Sequence, residues 1–129
     1  MKIVRRGDRD FVPASHEDSA RPGVYKKVLA VKEDLMAGGQ VQMINWARLP
    51  AGPGFRRHYH EDMEEIFVIL TGKAEIHIQD LKAEVEAGDM IHIAPGEAHS
   101  MRSLSEAPVE YLAIGIAGGR GGKTVVVPG

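Results

Sequence analysis

Residues 56–65 read Arg-Arg-His-Tyr-His-Glu-Asp-Met-Glu-Glu and concentrate groups able to donate to a metal ion. In an extended strand, alternate side chains share a face, so His58 and His60 point the same way, about 6.6 Å apart along the chain. Two imidazoles so placed can meet one ion lying between them. A carboxylate from a neighbouring strand would complete part of the shell. The acidic pair Glu61-Asp62 allows a reversal, after which Glu65 opens the apolar run 66–70. Nitrogen and oxygen donors of this kind suit Fe, Mn, Ni, Zn or Cu, and the pattern leaves that choice open. Residues 88–99, Gly-Asp-Met-Ile-His-Ile-Ala-Pro-Gly-Glu-Ala-His, add a turn, a strand, a second turn and one more histidine. Their glycines and proline are what tight reversals require, and they aim His99 at a fixed place.

The chain has 129 residues and no cysteine, which removes disulfides, thiolate metal sites and cysteine nucleophiles. Histidine and carboxylate remain for metal chemistry. Apolar residues make up 43% and charged residues 26%, the balance of a folded globular chain rather than a disordered one. Glycine or proline falls at 22–23, 38–39, 50–54, 72, 88, 95–96, 108 and 118–122. Between these marks lie short runs rich in Val, Ile and Leu, at 24–31, 40–49, 66–70, 74–79, 90–94 and 109–116. Several alternate with period two, as Ala74, Ile76 and Ile78 do against Glu75, His77 and Gln79. Short strands at this spacing predict an all-β antiparallel sandwich or barrel in one domain spanning 1–129. Residues 1–21 read as a polar arm or edge strand, and 31–37 as the one place for a short helix.

The residues resemble the cupins, small β-barrels of the double-stranded β-helix (jelly-roll) type. The first cupin motif runs glycine, five residues, His-x-His, three or four residues, Glu, six residues, glycine. Here Gly52, His58-Tyr59-His60, Glu65 and Gly72 match every anchor. In the second motif Gly88, Gly96 and His99 match, while Ala94 replaces a proline and Ser103 an asparagine. Pro95 beside Ala94 can keep that turn stiff. The matched motifs span 52–103. By this resemblance His58, His60, Glu65 and His99 are the four ligands of one divalent transition metal (Fe, Mn, Ni, Zn or Cu) inside the barrel. Strand parity places Glu65 with Phe67 and Ile69, and the distance to Gly72 also selects Glu65, with Glu64 as the fallback.

Parity also nominates pocket residues. Arg56 shares the face of His58 and His60 if the strand reaches back that far, and a guanidinium there would hold a carboxylate or phosphate. Phe67 goes with Glu65, and Met101 with His99. His92 is a mid-strand outsider, His77 reads as structural, His16 sits in the polar arm without a role, and Trp46 reads as core. Ala117–Thr124 mimics a phosphate-loop pattern, but Val125-Val126-Val127-Pro128 follows it and leaves no room for the required helix. A flexible loop and a closing strand are expected instead. His60-Glu61 is not a zincin start, because Glu64 stands where a second histidine belongs.

The resemblance implies a small-molecule ligand in the barrel cavity and a menu of dioxygenases, isomerases, lyases and non-catalytic binders. A metal-dependent enzyme of the dioxygenase or isomerase/lyase type is the first expectation. A metal-dependent binder of a sugar or acidic metabolite is the alternative, because no convincing acid–base residue stands beyond the four ligands. The net charge of −2, with no basic half, predicts no nucleic-acid partner. Apolar runs far below about 20 residues predict no membrane partner. The N-terminus lacks a signal-peptide core, so a cytoplasmic location is expected. A homodimer is expected through exposed edges, with the arm and strand 24–31 pairing across it.

Overall fold

Alternation organises the structure strand by strand. In β5 (Met63–Thr71), Met63, Glu65, Phe67 and Ile69 are buried, while Glu64, Ile66, Val68 and Leu70 face outward. The same period runs through β10 (Val109–Ala117), whose odd-numbered residues are all buried. In the computed structural model, residues 1–118 and 123–128 are described. The other strands are β1 (Val12–Pro13), β2 (Tyr25–Val31), β3 (Val41–Leu49), β4 (His58–His60), β6 (Lys73–Ile78), β7 (Leu81–Glu86), β8 (Met90–Ile93), β9 (His99–Ser103) and β11 (Thr124–Val126).

They form two antiparallel sheets. One has the order β1-β2-β3-β10-β5-β8 and the other β11-β4-β9-β6-β7. From β3 onward the chain steps back and forth between the sheets, with only the β6–β7 hairpin remaining in one. This is the double-stranded β-helix that the motifs imply. The crossings are short, and Gly72 alone separates β5 from β6. None of the described helices is long and apolar enough to cross a membrane.

Leu49, Ile69, Ile93, Met101 and Val109 fill the space between the sheets and are essentially inaccessible to water. Ala47 and Ala113 share the inner face of the larger sheet with Leu49, Ile69, Ile93 and Val109 but are too small to fill their part of it. That shortfall helps leave a cavity of about 380 Å³, bounded by His58, His60, Glu65, Phe67 and Tyr111. Trp46 is not core. Its neighbour Asn45 takes the inward position, so Trp46 lies on the outer face beneath the Arg6 guanidinium, 4.8 Å from the ring centroid.

The arm does contribute an edge strand, since β1 pairs with the start of β2. Pro13 is tolerated there because an edge position does not require its N–H. The helix expected over 31–37 is a single 3₁₀ turn, Lys32–Asp34, closed by Val31 N–H donating to Asp34 Oδ2 at 3.1 Å. Residues 119–122, the glycine-rich part of the phosphate-loop mimic, lie outside the described residues. The strand β11 follows, as expected.

Candidate metal centre

Three of the four sequence-nominated donors come from the smaller sheet. His58 and His60 project inward from β4, and β9 pairs with β4 so that His58 faces His99 in register. The fourth, Glu65, comes from β5 on the opposite sheet. All four are buried, and one donor atom from each lies within 4.8 Å of every other. Glu65 Oε1 stands 2.5 Å from His60 Nε2 and 3.4 Å from His99 Nε2.

Backbone carbonyls orient two of the rings. The Nδ1–H of His58 donates to the Arg56 carbonyl at 2.7 Å, and that of His99 to the Glu97 carbonyl at 2.9 Å. A neutral imidazole with its proton on Nδ1 offers a lone pair at Nε2. His60 Nδ1 pairs with Thr124 Oγ1 of β11 at 2.9 Å. Turn geometry holds the frame, for Gly96, at φ +81°, donates its N–H to the His60 carbonyl at 2.7 Å.

Electrostatics favour a cation at the centre. Burial pushes His58 down to about 3, helped by repulsion from His16 and His99, so its imidazole is neutral near pH 7. Burial alone would raise the Glu65 pKa. The hydrogen bond from His60, with the favourable charge of the adjacent His60 and His99 rings, outweighs it and holds the carboxyl well below the usual carboxylate range. His99 Nε2 is buried and makes no hydrogen bond among the described residues. An orphaned lone pair beside a buried carboxylate is costly unless something positive completes it. Donors bonded to one ion at about 2.1 Å are roughly 3–4.2 Å apart. The cluster, running from 2.5 Å to within 4.8 Å, brackets that spacing, so small side-chain adjustments would seat a single transition-metal ion.

A cupin-domain family model matches residues 45–115, which carry the histidine pair, Glu65 and His99. The chain belongs to the cupin family. An uncharacterized protein of Methanocaldococcus jannaschii is 30% identical to this cupin over 115 residues, covering 87% of this chain and 85% of that one. An oxalate-binding protein of Thermotoga maritima is 33% identical over 67 residues, 52% of this cupin and 55% of the relative. Among solved structures, a predicted oxalate decarboxylase from Thermotoga maritima superposes with a TM-score of 0.78 at 26% identity. That superposition covers 90% of this cupin and 99% of the other chain.

The nominated pocket residues divide. Phe67 lines the cavity. Arg56 does not, because β4 begins only at His58 and Phe55 turns inward in its place, leaving Arg56 exposed. Met101 is inward but packs in the core rather than against the cavity. His92 and Glu64 meet on the outer face, with His92 Nε2 2.7 Å from Glu64 Oε2, so Glu64 is not a donor at the centre. His77 is half-buried on β6.

The departures from the second motif have local reasons. Ala94 N–H donates to Glu97 Oε1 at 2.7 Å, a bond that proline cannot make. Ser103 is buried, and its hydroxyl reaches the carbonyls of Ser105 and Ala107.

His16 is the main correction. Its ring stacks on His58 with centroids 3.8 Å apart and planes inclined by 22°, and it lines the cavity. His16 Nδ1 is 2.6 Å from Glu17 Oε2. Glu17 in turn accepts from the N–H groups of Gly23 and Arg56, at 2.8 and 2.9 Å, which pins the arm against the histidine loop. Only the adjacency of histidine and glutamate hinted at this in the sequence. Lys26 and Asn45 also line the cavity and were not singled out.

Proposed function

We propose that this cupin holds one divalent transition metal through His58, His60, Glu65 and His99 and acts as an enzyme on a small organic molecule in the adjoining cavity. Dioxygenase or isomerase/lyase chemistry is the class we favour. The carrying observation is the convergence of four buried donors, three of which (His58, His60 and Glu65) line a cavity of about 380 Å³. An ion bound there would supply Lewis acidity or oxygen activation. The chain itself does the rest. Carbonyl-held Nδ1 protons fix the tautomers of His58 and His99, Glu65 provides the one buried negative charge of the cluster, and Phe55 and Phe67 present apolar walls that exclude water. His16, backed by Glu17, supplies a polar group beyond the four donors, the feature on which a catalytic reading depends.

A non-catalytic binder of an acidic metabolite is the second reading, supported by the partial match to an oxalate-binding protein. Elemental analysis of untagged protein, purified without chelators beside a His58→Ala/His99→Ala variant, tests the metal claim common to both. We expect near one equivalent in the wild type and its loss in the variant. Equal metal in both after reloading overturns it. Release of a chemically altered product from a bound ligand then separates enzyme from binder.

We further propose that a second copy of this chain covers the outer face of the larger sheet. Adjacent strands there align Trp46, Leu112 and Val68 in one row and Ile44, Ile114 and Ile66 in the next, with Met90 exposed at the end of the first. Lys27, Arg48, Glu64 and Glu110 rim them, so a copy of the same surface meets opposite charge. Sedimentation of the wild type as a dimer and of Ile114→Glu as a monomer is expected. A monomeric wild type overturns the dimer.

A further inference from the structure

The cavity has a second polar end that the metal reading does not use. Asn45 is 7% exposed, yet among the described residues its Oδ1 finds no hydrogen-bond partner. Its Nδ2 reaches only the Met43 thioether, at 3.3 Å, and a thioether is a weak acceptor. An amide so buried and so poorly partnered is costly unless a ligand completes it. Lys26 lies on the neighbouring strand and the same inner face, for Lys26 pairs with Ala47 and Val28 with Asn45. Both residues line the cavity that His58, His60 and Glu65 bound. Among the described residues no carboxylate forms an ion pair with Lys26, although Glu33 lines the same cavity, and burial lowers the affinity of its ammonium for its proton.

We infer that Lys26 and Asn45 form a second anchoring site, which receives the far end of an acidic ligand whose near end sits at the histidine–glutamate cluster. The site rests on the proposed metal centre for that near end. Chemistry and span specify the ligand. An ammonium and an amide N–H present donors that a carboxylate accepts, while Asn45 Oδ1 accepts from a hydroxyl or a protonated acid. Three strand spacings, about 14 Å across the sheet, separate β2 from β5. Lys26 is level with Ile69, four residues along β5 from Glu65, so the two ends lie further apart than the sheet spacing alone, of which an extended lysine covers roughly 6 Å. A ligand with adjoining carboxylates, such as oxalate, cannot bridge the remainder. A linear dicarboxylate of intermediate length can, and a cavity at the small end of the ligand-pocket range excludes much larger molecules.

Calorimetric titration of the full chain loaded with Mn²⁺ tests the site, with metal content measured for every variant. The probes are oxalate, glutarate and valerate, the last keeping one carboxylate of glutarate and its carbon count. In the wild type, glutarate should bind at least about tenfold tighter than valerate, the scale of one charge-assisted hydrogen bond. Lys26→Met should erase that ratio while leaving metal content, valerate and oxalate affinity unchanged, and Lys26→Arg should restore part of it. Asn45→Ala should weaken glutarate but not oxalate. A metal-loaded wild type that binds glutarate and valerate alike, or a ratio that survives Lys26→Met, overturns the inference. A chain that takes up no metal but keeps a Lys26-dependent preference for glutarate overturns the metal centre and leaves this anchor standing.

Discussion

His60 Nε2 and Glu65 Oε1 stand 2.5 Å apart across the gap between two different sheets. The four-residue group is therefore assembled by the closure of the sandwich rather than by any single hairpin. Affinity for an ion is coupled to that closure, because an unfolded chain holds no preformed site.

Glu65→Gln should weaken metal binding by at least about 100-fold, since an amide replaces the one buried negative charge of the cluster. Glu64→Gln, on the outer face beside His92, should stay within about twofold of the wild type. Competition with a graded series of chelators measures both. Equal effects of the two substitutions would remove Glu65 from the site.

Acid should destabilise the metal-free protein earlier than carboxylate titration alone explains. The native His58 pKa is depressed to about 3 from an ordinary 6.5, so across that window the unfolded chain binds the extra proton and stability falls as pH falls. Glu65 acts with the same sign lower down, its contribution being present above about 4.5 and lost as pH drops toward its depressed native value. Each group adds a slope of up to about 1.4 kcal/mol per pH unit. Urea midpoints of chelator-treated protein between pH 7 and 4 should decline steadily. A flat profile would contradict a buried neutral His58.

Removing the Glu17 carboxylate leaves two backbone N–H groups, of Gly23 and Arg56, without their acceptor. Glu17→Ala should cost about 1–3 kcal/mol and lower Tm by roughly 4–12 °C. Asp18→Ala, one residue on and exposed, should change Tm by less than about 2 °C. Scanning calorimetry decides, and similar melting of the two variants would show that the arm is not anchored through Glu17.

Two neighbouring glycines should respond differently to alanine. Gly54 sits at φ +87°, and a Cβ there would lie 2.0 Å from the Met101 backbone oxygen, whereas Gly52 at φ +137° has open space around it. Gly54→Ala combines left-handed strain with a backbone clash and should cost more than about 3 kcal/mol, against about 1–2 for Gly52→Ala. Denaturant titration of both orders them. The motif anchor Gly52 is thus expected to be the more tolerant of the pair.

These contrasts show what the sequence could convey. Period-two alternation carries burial directly, so the inward set of β5 and the choice of Glu65 over Glu64 were readable from parity and spacing. The histidine pair and His99 were readable because turns of fixed length aim them. Arg56 failed because parity holds only within a strand, and β4 starts two residues later. Trp46 failed because hydrophobicity suggests burial but parity decides the face, and Asn45 took the inner one. His16 was hidden for a different reason. Its stacking on His58 is a contact between segments about 40 residues apart, made through a loop that no periodicity describes.

Ala47 and Ala113 give the cavity its room, while the groups with reactive potential sit on β4, β5 and β9. Part of what sets the fit is thereby encoded on strands other than those that carry the donors. Alanine is nearly the smallest side chain, so every exchange at either position except to glycine makes the chamber smaller. A change to valine or leucine there would trim the range of admissible molecules without disturbing a single donor atom. Selectivity in this scaffold can therefore drift, or be engineered, independently of the chemistry it serves.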